Sequence, residues 1–162
     1  MARKYTMIHD SMLIRYLMNT YPFGTYKVNV RLGSIREELE KGIPEQYAGI
    51  LKVYKLIADA IVFYENKVRI IECIVRPTDW WKMAQLELYE RAFKSDEEYK
   101  QYWDWPIEKI LLTTESDDFM EKEAERRGIT IVKYTEPDIE YYKGTLLKRH
   151  AQGRGLGIEP IE

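Results

Sequence analysis

IADAIVFYENKVRIIECIVRP, residues 57–77, is the stretch whose reading decides the fold. Two runs rich in β-branched and aromatic residues, Ile57 to Tyr64 and Lys67 to Val75, flank Glu65-Asn66, which predicts two antiparallel strands joined by a tight turn. Side chains alternate along a strand, so Ile57, Asp59, Ile61 and Phe63 are expected on one face of the first strand. Ile70, Glu72, Ile74 and Arg76 are expected on one face of the second. An acid then interrupts each apolar face. Burying a lone carboxylate is costly or raises its pKa, and two such interruptions on adjacent strands point to a compensating cation, most simply a divalent metal. A salt bridge or a solvent-exposed edge explains either acid alone. Cys73 falls on the face opposite Glu72 and reads as a small buried hydrophobe.

Downstream of the hairpin, Arg76-Pro77 ends the strand, and Thr78 or Asp79 is expected to cap a helix running to about Lys94. Lys82, Gln85 and Tyr89 fall on one stripe of that helix, flanked by Met83, Leu86, Ala92 and Phe93 as packing residues. Ser95 to Tyr102 reads as a loop or helical extension, and the tryptophans at 80, 81, 103 and 105 read as core and lid packing. Ile107 to Thr113 predicts a strand, Ser116 to Arg127 a helix capped by Ser116 and stopped by Gly128, and Ile129 to Tyr134 a last strand. That succession argues for a parallel pair.

Upstream, Asp10 or Ser11 is expected to cap a helix to about Asn19, with Leu13, Ile14, Leu17 and Met18 at helical spacing. His9 precedes it and is assigned no function. Thr25 to Leu32 reads as a half-buried strand. Ser34 caps a short acidic helix with Glu37 in a capping-box position and Gly42 as its stop, and within it Glu38 lies at helical spacing from Ile35. Residues 44–49 read as a loop and 50–55 as a further strand.

A chain of 162 residues suits one domain, burying roughly two-thirds of its unfolded surface. With 45% hydrophobic and 32% charged residues, the composition is ordinary for a globular protein. No apolar run approaches the roughly 20 residues needed to span a bilayer. The opening MARKYTMIHD lacks a signal-peptide apolar region, so no membrane association and a cytoplasmic, intracellular setting (or a virion) are expected. One cysteine and two histidines leave no disulfide and no zinc cluster to propose. The net charge of -2 hides an uneven distribution: residues 1–36 carry six Lys/Arg against one acid and residues 141–157 carry four against none. The C-terminal stretch, with glycines and basic residues but no periodicity, reads as a tail over 141–162 following a domain over 1–140. Order in such a tail favours a homo-oligomer, a larger assembly or a bound partner.

The order of parts, from acidic helix through the two-acid hairpin and the Gln/Tyr helix to strand-helix-strand, resembles the PD-(D/E)XK nuclease superfamily over roughly residues 34–134. Ala58-Asp59 and Glu72-Cys73-Ile74 stand for its motif, and Gln85-x-x-x-Tyr89 is similar to the helical motif of the RecB-like branch. The resemblance implies a single α/β domain with a restriction-endonuclease-like mixed β-sheet flanked by α-helices. It also implies Asp59 and Glu72 as ligands of Mg2+ or Mn2+ for hydrolysis of DNA phosphodiester bonds, with Glu38, Gln85 and Tyr89 in support. The pattern departs at two positions: Ile74 stands where the motif has lysine, and Ala58 where it has proline. That lysine orients the attacking water, and Lys82, about one helical turn before Gln85, is the candidate replacement. Arg76 is placed to meet a phosphate, while Lys148, Arg149 and Arg154 would add salt-dependent affinity for DNA. The alternative is a nuclease-like fold without catalysis, serving as a structural or nucleic-acid- or protein-binding subunit of a virus or mobile element. A small-molecule enzyme is disfavoured because the chain has no glycine-rich phosphate loop and no nucleophile motif.

Overall fold

The computed structural model describes residues 2–33 and 56–153, with side chains described for 7–33 and 56–148. Glu38 and Arg154, the expected helix at 34–42, the loop at 44–49 and the strand at 50–55 lie outside the described residues, as does the side chain of Arg149.

The hairpin forms as its composition dictates: β2 spans Leu56–Tyr64 and β3 spans Lys67–Ile74, paired antiparallel. Glu65 and Asn66 both take positive φ, 54° and 53°, the conformation that a two-residue turn needs to match the twist of its strands. Around this hairpin the sheet is completed by β1 (Tyr26–Leu32), antiparallel to β2, and by β4 (Ile107–Thr113) and β5 (Ile129–Lys133), which continue parallel from β3. The order is β1-β2-β3-β4-β5. The expected parallel pair is therefore β4 and β5, and β3 extends it.

Helices cover both faces. On one lie α2 (Met83–Phe93) and α3 (Asp118–Arg126), which bury Met83, Leu86, Ala92, Phe93, Met120 and Ala124 against Ile61, Ile70, Ile74 and Leu111. On the other lie α1 (Ala2–Thr20) and α4 (Pro137–Gly153), where Ile8, Met12, Leu17 and Ile139 meet Val62, Ile71, Cys73 and Leu112. Each fully buried aliphatic or aromatic side chain contributes roughly 1.5–3 kcal/mol, so both layers are held by apolar burial. This is the mixed sheet between helices that the resemblance implies. Among the described residues no helix is long and apolar enough to cross a membrane.

Four boundaries differ from the sequence reading, each for a physical reason. The first helix begins at Ala2 rather than at Asp10 or Ser11, because Ile8 and Met12 extend the buried stripe by a turn. Neither Thr78 nor Asp79 caps the helix after the hairpin. Pro77–Lys82 form a 3-10 segment with Asp79 off helical geometry, and the α-helix starts only at Met83. At α3 it is Asp117 whose carboxylate accepts from Met120 N–H, in place of Ser116. The stretch read as a tail is helical to Gly153, anchored by Ile139 and Lys143, both less than 9% exposed.

Candidate active site

Asp59 does not share a face with Ile61 and Phe63. Leu56, Ala58, Ile61 and Phe63 all serve the α2 side of the sheet, while Ala60, Val62 and Tyr64 serve the α1 side, so β2 exchanges faces at Asp59. Strand β1 exchanges faces at the same level: Tyr26 packs on the α1 side, Val30 and Leu32 on the α2 side, and the residue between them, Asn29, has φ of 51°. The switch coincides with the end of the β2-β3 ladder, whose last pair is Ala60 with Ile71. Beyond it the Asp59 carboxylate takes over. Its Oδ2 accepts the Cys73 N–H at 2.7 Å, so a side chain satisfies the ladder group that the parting strands release.

That same Oδ2 is 2.9 Å from His9 Nε2, and the imidazole's Nδ1 is 3.0 Å from Asp10 Oδ1. Burial works against a charged imidazole, yet the bond to Asp59 and the contact with Cys73 together outweigh it and raise the His9 pKa well above its usual value. The thiol of Cys73, fully buried and itself pushed up by burial, stays neutral, which leaves Asp59 as the counter-ion. Cys73 is the buried hydrophobe expected, and its thiol donates to His9 O at 3.8 Å. His9 is the member of this cluster that the sequence reading left without a role. Its signal was the spacing Ile8, Met12, Leu13, Tyr16, Leu17, all buried, which carries the helix back past Asp10 and brings His9 toward the sheet.

Glu72 stands on the α2 side, 4% exposed. Lys82, from the last turn of the 3-10 segment, reaches Glu72 Oε1 with its Nζ at 3.9 Å. The other oxygen, Oε2, is buried and has no hydrogen-bond partner among the described residues. Burial, and then the charge of Asp59, push the Glu72 carboxyl up to about 8 against the opposing pull of Lys82 and His9. Tyr89 turns its hydroxyl to Gln85 Oε1 at 3.5 Å, and its own pKa is raised by burial and by the nearby charge of Glu72. Ile74, at the lysine position of the motif, is 1% exposed in the core and contributes nothing polar.

Asp59, Glu72, Lys82, Gln85 and Tyr89 thus converge, with His9 added. Arg76 pairs with Asp79 through Nε at 3.3 Å and, with His9, Asn29, Cys73 and Lys82, lines a cleft of about 380 Å3. The lining holds the cations His9, Arg76 and Lys82 with the acids Asp10 and Asp79, while Asp59 and Glu72 lie behind it. Lys148 is exposed on α4 and joins the cluster through no described hydrogen bond or ion pair. A larger apolar cleft of about 500 Å3, between α1 and α4, includes none of these site residues.

Among the described residues no group of three or more His, Cys, Asp and Glu side chains is arranged to hold a metal. The pair Asp59 and Glu72 still suits Mg2+ or Mn2+. Such an ion binds through one or two carboxylates and keeps several waters, and Glu72 Oε2, with no hydrogen-bond partner among the described residues, is an oxygen donor free to meet it.

No family model matches the chain, and no curated protein does. Among solved structures it is similar to the EndoMS-dsDNA2 complex, at 14% identity and a TM-score of 0.47, over 80% of this chain and 46% of that one. It is also similar to protein VC1899 from Vibrio cholerae, at 16% identity and a TM-score of 0.40, over 90% of this chain and 32% of that one. The chain therefore spans about half the length of the first and about a third of the second.

Proposed function

We propose that this protein is a metal-dependent DNA nuclease that hydrolyses phosphodiester bonds at the acid pair. The observation that carries the reading is Glu72: a carboxylate with one buried oxygen that has no hydrogen-bond partner among the described residues, within the field of Asp59 and 3.9 Å from a lysine. Asp59 and Glu72 are the residues that would hold Mg2+ or Mn2+. Bound there, the ion would polarise the phosphate and lower the pKa of the attacking water. Lys82 supplies the cation that Ile74 cannot, and its approach to Glu72 is what a lysine displaced from the strand to the following segment needs to orient a water. Gln85 and Tyr89 position Glu72 from α2, and His9 balances the charge on Asp59. Arg76 offers a guanidinium to a phosphate. Lys148, Arg149 and Arg154 are proposed to add backbone affinity that falls with salt.

Full-length protein with Mn2+ is expected to cut DNA, with Glu72→Ala and Lys82→Ala each slower by orders of magnitude and the fold retained. Cleavage that survives loss of Lys82 would remove it from the reaction. The second reading, a binding or structural subunit without catalysis, is favoured by the burial of Ile74 in the core. It predicts no cleavage with any divalent metal while DNA binding persists.

A further inference from the structure

Three of the four tryptophans pack as expected: Trp80, Trp103 and Trp105 lie half-buried against the α2-side core. Trp81 does not, and is 53% exposed. A 3-10 turn has about three residues per turn, so turning Trp80 inward sends its neighbour outward. Trp80 in turn seats Phe119 edge-on, with ring centroids 5.0 Å apart and planes at 82°, and Phe119 is itself 52% exposed. Both rings belong to segments that leave the sheet at one end. The turn bearing Trp81 follows β3, and α3, bearing Phe119, follows β4, the parallel neighbour of β3. Lys82, whose Nζ faces Glu72, is the next residue after Trp81.

We propose that Trp81 and Phe119 form a stacking platform for an unpaired nucleobase beside the acid pair, so that the substrate is single-stranded DNA or a frayed strand end. The inference rests on the nuclease reading above and names its substrate. Every base offers a π-face, whereas a paired base in a duplex has its faces covered, so exposed rings beside a phosphodiester site select for unstacked bases. The charge around the platform permits this. Of the acids near Phe119, Glu115 is paired with Lys143 at 3.1 Å, Asp117 caps α3, and Glu121 is paired with Lys133 at 3.3 Å, which leaves Asp118 as the one exposed acid beside the ring with no ion pair among the described residues. The cleft beside Glu72 carries three cations, His9, Arg76 and Lys82, against two acids, Asp10 and Asp79, and the sugar-phosphate chain of a stacked nucleotide would run there.

The test is fluorescence-anisotropy binding by the metal-free full chain, with an oligodeoxythymidylate and a blunt duplex of the same length as probes. Wild type is expected to hold the single strand more tightly than the duplex. Trp81→Ala should weaken single-strand binding about tenfold and leave duplex binding within about twofold, Trp81→Phe should restore most of the loss, and Phe119→Ala should act in the same direction. Both positions are exposed, and thermal melts check that folding is spared. Equal losses on both probes, an unchanged single-strand affinity in Trp81→Ala, or no binding of either oligonucleotide by wild type would overturn the platform. Cleavage with Mn2+ is scored separately. Single-strand binding that follows Trp81 without any cleavage supports the platform and removes the nuclease reading, whereas duplex cleavage indifferent to Trp81 overturns the platform and leaves the nuclease reading in place.

Discussion

Glu72 is buried at 4% exposure with one oxygen lacking a partner among the described residues, and its carboxyl is raised to about 8 by burial and by Asp59. In metal-free protein this has a direction in pH. Unfolded Glu72 loses its proton near 4.5 and folded Glu72 near 8, so between those values the folded state holds more protons and stability falls as pH rises. Glu72→Gln removes the effect. Thermal melts in a chelator should show the variant more stable than wild type at pH 8, by roughly 1–2 kcal/mol or several degrees in Tm, and nearly equal to it at pH 4, where both side chains are neutral. An equal difference at both pH values would contradict the assignment. His9 acts in the same direction over a higher pH range. Its pKa is raised on folding, so its pairing with Asp59 is fully present below about 6.5, the ordinary imidazole value, and is lost only as pH rises through the folded value. At neutral pH, His9→Ala leaves the Asp59 carboxylate with the Cys73 N–H alone and should cost about 1–3 kcal/mol, measured by urea unfolding.

At the scale of elements, the rung shared by Asn29 and Asp59 sets the geometry, because there β1 and β2 exchange faces and the β2-β3 ladder ends. Asn29 has φ of 51°, which β-branched residues adopt only with strain. Asn29→Val should therefore cost about 1–2 kcal/mol and weaken the metal response, while Asn29→Gly should stay within a few tenths of wild type; urea melts with and without Mn2+ distinguish them. The hairpin, α2 and the β4-α3-β5 unit were legible in the sequence because β-branched runs and helical spacing mark their elements, with the turn residues Glu65-Asn66 and the stop Gly128 where the backbone needs them. The convergence of Asp59, Glu72 and Lys82 was legible too, since Lys82 lies a fixed few residues after the strand. The face switch was not. A single left-handed residue inverts the period-two pattern, and Asn29 in an alternating run gives no sign of it. His9 was lost with the start of α1, because capping residues at Asp10 and Ser11 compete with the stripe that continues to Ile8.

Across the whole molecule, α1 and α4 form one layer that holds His9 against the sheet, so the C-terminal helix backs the acid cluster although none of its described side chains joins it. Lys143, 6% exposed, donates to Thr114 Oγ1 at 2.8 Å and pairs with Glu115, fastening α4 to the end of β4. Glycine at 144 and the basic run after it hid this helix, because apolar periodicity is weak there. Truncation after Glu136 removes Ile139 and Lys143 and uncovers part of the α1-side core. The truncated chain should unfold at markedly lower urea than full-length protein, whereas a mere tail would come off without effect. The central claim, that Asp59 and Glu72 together bind a divalent cation, is tested most directly by anomalous diffraction from crystals soaked in Mn2+. The expected result is a single strong peak about 2.0–2.3 Å from carboxylate oxygens of both residues, absent in Glu72→Gln crystals. A fully soaked wild-type crystal with no peak there, or one whose peak persists in Glu72→Gln, would contradict it.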